Sequence, residues 1–148
     1  MNILKKWFSP TITKIGFEDM KYVICHTEYL LINTLDSQSQ GCLLPRTTGL
    51  GEEEGLINRF IDDSVQGSTK IVIYGRNSTD VSVDRKAEQL SSLGFRDIYI
   101  YNGGIFEWLL LQDIYGSCEF PTVGKCRDPL DYRGSPILNS PKKLLGFF

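Results

Sequence analysis

The side chains equipped for covalent chemistry in this sequence are four cysteines, Cys25, Cys42, Cys118 and Cys126, and a single histidine, His26. A cysteine thiolate is a nucleophile and a soft-metal ligand, and imidazole is a base near neutral pH. The spacing supports neither role strongly. No two cysteines stand in a C-x-x-C pattern, and one histidine cannot complete a zinc site, so no metal is expected. Cys25 and His26 are neighbours in sequence, but adjacent side chains point apart in most backbones, which argues against a nucleophile–base pair. Four cysteines in 148 residues are too sparse for a disulfide framework. Free thiols in a reducing, cytoplasmic compartment are therefore expected. Glu52, Glu53 and Glu54 look catalytic on paper, but their place before an apolar periodic stretch fits a solvated first helical turn.

A different kind of chemistry is suggested by IVIY-GRNSTD-VSVDRKAEQL, residues 71–90. The order is a buried strand, a polar loop and a helix. In a parallel α/β sheet, ligands sit beyond the carboxyl ends of such strands. Loop amides at the positive end of the next helix bind anions and lower the pKa of a thiol placed there. The first loop position is Gly75, which has no side chain to react. Gly75, Arg76, Asn77, Ser78, Thr79 and Asp80 are left as a candidate anion-binding recess, with no catalytic residue among them. Asp80 adds negative charge that opposes an anion.

Several elements must hold this loop in place. Ile12–Ile15 reads as a short strand, and Phe17, Met20, Val23 and Ile24 fall on one helical face. Tyr29–Leu35 is an apolar run without alternation, as expected of a strand covered on both faces. Cys42–Leu44 is a further short strand ended by Pro45. Leu56, Ile57, Phe60 and Ile61 form the buried stripe of a second helix, and Ile71–Tyr74 is the candidate central strand. Val83, Ala87, Leu90 and Leu93 repeat at helical spacing before a natural cap at Gly94. A strand at Ile98–Tyr101, a sharp turn at Asn102-Gly103-Gly104 and an apolar helix over Ile105–Ile114 complete the series. Strands alternating with helices predict an α/β fold: a small parallel β-sheet flanked by helices on both faces.

The expected organisation is an N-terminal segment over 1–9, one domain over 10–119 and an extended, proline-containing tail over 120–148. The tail ends in LLGFF, and Leu144, Leu145, Phe147 and Phe148 are its candidate anchor for a protein partner or a second copy. The net charge of −2 gives no basic field for nucleic acid. No apolar run is long enough for a membrane span. MNILKKWF lacks the long apolar region of a secretory signal and is expected to be a packed or frayed terminus.

The run from KIVIYGRNS through AEQLSSLGFRDIYIYNGGIFEW resembles the rhodanese-like family, from its active-site loop to its closing helix. TITKIGFEDM and EYLLINTL are similar to the family's opening strand–helix and second strand. The resemblance covers roughly residues 10–115 and rests on LGF followed by GG-x-x-x-W. The FEWLLLQDIYG…FPT ending is similar to a single-domain subgroup that includes proteins of large DNA viruses, which implies a virus-encoded chain. In active members a cysteine after the central strand accepts sulfane sulfur from a donor such as thiosulfate and passes it to an acceptor thiol. The resemblance places Gly75 at that position. The arginine usual late in the loop has no clear counterpart, since Arg76 comes too early and Arg85 lies in the helix. The loop is also longer than usual, as in the phosphatase branch of the fold, whose chemistry needs the same cysteine. Asn33-Thr34-Leu35 replaces the family's acidic-then-basic pair, which removes an expected polar support.

The expected function is accordingly a non-catalytic rhodanese-like domain that binds a protein or serves a structural role, without a cofactor. The alternative is a thiosulfate sulfurtransferase using a displaced thiol, Cys42 above all.

Overall fold

The computed structural model describes residues 11–139. The segment 1–9 and the anchor residues Leu144, Leu145, Phe147 and Phe148 lie outside the described residues. Four strands form a parallel sheet: β1 (Thr11–Ile15), β2 (Tyr29–Asn33), β4 (Lys70–Tyr74) and β5 (Asp97–Tyr101), in the order β1-β5-β4-β2. A two-stranded antiparallel pair, β3 (Cys42–Leu43) with β6 (Val123–Gly124), stands apart from it. The helices are α1 (Phe17–Val23), α2 (Leu50–Asp62), α3 (Val81–Ser92) and α4 (Gly104–Tyr115).

β4 shows why the sheet is sandwiched. Successive residues of a strand point to opposite faces. Ile71 and Ile73 enter a cluster with Ile57 of α2 and Val83, Ala87 and Leu90 of α3. Val72 and Tyr74 enter the other, with Met20 and Val23 of α1 and Ile105, Trp108 and Leu109 of α4. Both faces are apolar because both are covered, which is the continuous hydrophobic pattern of IVIY. The expected α/β sandwich with helices on both faces is what the chain adopts.

The free-thiol expectation requires correction, and the segment after α4 packs on the domain. After Gly116 ends α4 at a φ of 95°, the chain turns back over its own domain. Phe120 packs edge-on against Trp108, with ring centroids 5.1 Å apart, and Tyr132 is as buried as the sheet residues. Two isolated aromatic anchors in a proline-containing stretch have no periodicity, so the pattern could not reveal them. The thiols are not all free. Cys42 and Cys126 form a disulfide with Cα atoms 4.9 Å apart, while Cys25 and Cys118 are unbonded and exposed. The pairing joins β3 to the returning segment, and only that return brings the two residues together.

Two buried phenols carry a pH dependence. The Tyr74 hydroxyl receives the Leu44 amide at 3.1 Å and shares a hydrogen bond with Thr47 Oγ1 at 2.7 Å. Burial nonetheless pushes its pKa well above the usual phenol range. Burial does the same to Tyr101, reinforced by the hydrogen bond its hydroxyl donates to Glu107. Folding thus favours the neutral phenols, whereas in the unfolded chain they ionise near pH ~10. Their contribution to stability is complete below about pH 10 and declines as pH rises further, by about 1.4 kcal/mol per pH unit for each tyrosine. Urea midpoints between pH 9 and 11 should fall accordingly, and Tyr101→Phe should remove about half of the slope due to this pair.

Candidate functional site

Beyond the carboxyl end of β4, the loop Gly75–Asp80 leads into α3. Gly75 is buried, Arg76, Asn77 and Asp80 are half-buried, and Ser78 and Thr79 are exposed. The loop closes on itself through Asp80. As N-cap of α3, Asp80 accepts from Ser82 N at 3.0 Å and Ser82 Oγ at 2.6 Å through Oδ1. Its other oxygen, Oδ2, accepts from the Arg76 amide at 2.9 Å. An N-cap carboxylate usually serves the first turn of its helix. Here it also reaches back across the whole loop, to the position where a free anion was expected.

This reach depends on Gly75. A Cβ built there would stand 2.5 Å from Asp80 Oδ2, 2.5 Å from Val83 Cγ2 and 2.8 Å from Thr34 Oγ1. Real Cβ atoms do not make such contacts, so a side chain at this position requires its neighbours to move. The space beside Gly75 is filled by a carboxylate, a methyl group and a hydroxyl.

The end of β2 supports the loop through neutral groups. The Thr34 amide donates to the Tyr74 carbonyl at 3.0 Å, and the Thr34 and Ser82 hydroxyl oxygens share a hydrogen bond at 2.9 Å. Asn33, 2% exposed, pairs through its amide with Gln40, whose Nε2 lies 2.8 Å from Asn33 Oδ1. From the other side, α4 presses its N-terminus against the loop. Ile105 N and Phe106 N donate to the carbonyls of Gly75 and Arg76, each at 2.9 Å. Gly104 makes this approach possible. Its φ is 67°, and a Cβ there would meet the Asn77 amide nitrogen at 2.7 Å.

The returning segment covers the loop from above. The short 3₁₀ turn Pro129–Tyr132 offers the Asp131 carbonyl to the Arg76 guanidinium and the Tyr132 carbonyl to Asn77 Nδ2, the latter at 2.8 Å. The guanidinium lies over the Tyr132 ring, 5.1 Å from its centroid. The two side chains most able to meet an outside ligand are thereby engaged by the chain itself.

The other candidates are scattered. The Cys42 sulfur is bonded to Cys126 and 2% of the residue is exposed, so it offers no thiolate in this state. His26 donates from Nδ1 to the Tyr22 carbonyl at 2.6 Å and stacks on the Tyr22 ring, so it makes no pair with Cys25. Glu52 and Glu54 are exposed, and Glu53 pairs with Lys86 at 2.7 Å. No cluster of metal-binding side chains occurs among the described residues. Thr34, Ser82, Gly104, Asp131 and Tyr132 were not singled out as parts of the site. A capping signal was present in Asp80-Val81-Ser82 and a tight turn in Gly103-Gly104, but Asp131 and Tyr132 carried none.

Residues 45–111 match the family model described as the rhodanese-like domain. Among solved structures, the chain is similar to the Alr3790 protein from Anabaena sp., with 18% identity, a TM-score of 0.55, and coverage of 79% of this chain and 97% of that one. It is also similar to the BH2092 protein from Bacillus halodurans, with 17% identity, a TM-score of 0.53, and coverage of 97% and 94%. No curated protein matches it. The fold is rhodanese-like.

Gly75→Ala should destabilise the domain by about 1–3 kcal/mol in urea titration through crowding against Asp80 and Val83. Combining it with Asp80→Ala should cost less than the sum of the single changes, because the two act on one space. Asp80→Ala alone should lose about 1 kcal/mol as a missing cap. It should also gain more thermal stability from added sulfate than the unaltered chain does, since the Arg76 and Ser82 amides lose their internal anion.

Proposed function

We propose that this rhodanese-like fold serves as a non-catalytic module, with structural and protein-binding roles and no sulfur transfer at the β4–α3 loop. One observation carries the reading: the volume next to Gly75 is filled by Asp80, Val83 and Thr34. Nucleophilic catalysis works by forming a covalent intermediate. Gly75 has no atom to form one, and a Cβ there would crowd Asp80, Val83 and Thr34. The Arg76 and Ser82 amides, which could otherwise meet an anionic donor, are already taken by Asp80. The recess Gly75–Asp80 acts as a joint between β4, α3, α4 and the returning segment, and it needs no cofactor.

The partner-binding role belongs to the end of the chain, at Leu144, Leu145, Phe147 and Phe148. Support comes from the start of the tail, where Phe120 and Tyr132 are already committed to the chain's own core. Ile137 and Leu138, 71% and 90% exposed, continue the apolar character toward that end. The work is assigned to a cytoplasmic setting, and the ending's likeness to viral single-domain proteins supports a viral origin.

Purified protein given thiosulfate and cyanide should produce thiocyanate at the uncatalysed rate, with or without prior treatment with a thiol reductant. Turnover above background that disappeared in Cys42→Ser would instead identify a sulfurtransferase with a displaced nucleophile. Removing residues 142–148 should lower the assembly state in light scattering while leaving the melting temperature in place. A fall in melting temperature without a change in assembly would mean that this end packs on its own domain.

A further inference from the structure

We propose that the Cys42–Cys126 bond is a redox latch that holds residues 123–134 as a strap across the β4–α3 loop. The inference concerns access to the loop and is independent of whether the loop can transfer sulfur.

The strap is anchored unequally along its length. Its start is fixed without the disulfide. Phe120 packs on Trp108 and Phe17, Trp108 Nε1 donates to the Pro121 carbonyl at 2.9 Å, and Gln112 Nε2 reaches Phe120 O at 2.8 Å and Thr122 Oγ1 at 3.0 Å. Beyond Thr122 the hold is thin. β6 pairs with β3 over two residues on each strand, and Val123, Gly124 and Lys125 are exposed. Arg127 makes one exposed hydrogen bond, to the Gln38 carbonyl at 2.8 Å. A two-stranded pair of this length has little stability of its own. The disulfide is the covalent tie between this stretch and the body of the domain, and the turn carrying Asp131 and Tyr132 follows it directly. Cutting the tie leaves the Pro129–Tyr132 turn, with its packing on α4 and its contacts to Arg76 and Asn77, to hold the strap against its chain entropy.

The bond is placed for exchange. Cys42 is 2% exposed, whereas Cys126 is half-buried, so an incoming thiolate meets the Cys126 sulfur first. A protein or small-molecule dithiol is the reductant class required. Its thiolate attacks Cys126 Sγ, the bond to Cys42 Sγ breaks, and Cys42 leaves with the electron pair and takes a proton. The second thiol of the reductant then resolves the mixed disulfide, and Cys126 leaves as thiolate and is protonated. Two electrons and two protons have passed to the cysteines, and the reductant is left as its own disulfide. The two remaining cysteines, exposed and unbonded, fit surroundings in which thiols persist. In such surroundings, protein disulfides are mostly transient and redox-sensing. Release of the strap frees the Arg76 guanidinium and the Asn77 amide from the Asp131 and Tyr132 carbonyls, which gives the loop two ligand-ready side chains that it lacks when latched.

Hydrogen exchange of the full chain, read by mass spectrometry with and without dithiothreitol, tests this. Exchange over residues 123–134 should rise at least about tenfold on reduction, while β4, β5 and α4 keep their protection, and reoxidation should reverse the change. Cys126→Ser without reductant should match the reduced protein. Unchanged exchange in the strap would overturn the latch. So would an equal rise across the whole sheet, which would make the bond a general staple, or four alkylatable thiols in the untreated, denatured protein.

Discussion

The carboxylate of Asp80 turns back into the loop that it ends, and it can do so because Gly75 presents no Cβ. Much of the local structure follows from this contact. With Oδ2 on the Arg76 amide and Oδ1 on Ser82, the loop is drawn into one fixed curl. That curl presents the Gly75 and Arg76 carbonyls to the first turn of α4, and α4 can reach them because Gly104 lets two backbones meet. The end of β2 closes the ring of contacts through Thr34 and Ser82. The Asp80 carboxylate thus serves the Arg76 and Ser82 amides from within the loop.

Closure from within is matched by closure from above. The returning segment contributes backbone carbonyls to Arg76 and Asn77 and lays the Tyr132 ring beneath the guanidinium. Trp108 links the two arrangements: its ring packs against Tyr101 at the end of β5 and against Phe120 at the start of the strap. The packing beneath the sheet's carboxyl edge is thus continuous with the packing that holds the strap. The β4–α3 loop, the N-terminus of α4 and the strap form one unit rather than a framework with a loose loop on top.

The sandwich was legible in the sequence because its signals are local. Residues 71–74 are apolar without alternation, as a strand buried on both faces must be, and the stripes of α2 and α3 repeat at helical spacing. The loop was legible too, from the switch of period between residues 74 and 81. The bond between Cys42 and Cys126 was not legible. Sparse cysteines argued for free thiols, and the argument failed because pairing depends on a chain reversal after Gly116 that brings distant residues together. The burial of Tyr132 was hidden for the same reason, since a lone aromatic in an irregular segment carries no periodicity.

The sequence by itself determined the α/β sandwich and the place of the loop at the carboxyl end of β4. These depend on residue type and on periods of two and 3.6, which act over a few neighbours. Only the tertiary structure decided what fills the loop: the Asp80 carboxylate from within, Thr34 from the neighbouring strand and Tyr132 from a strap returning from beyond α4. Such contacts join residues far apart in the chain, where side-chain volume and backbone direction choose the partner and no local pattern records it.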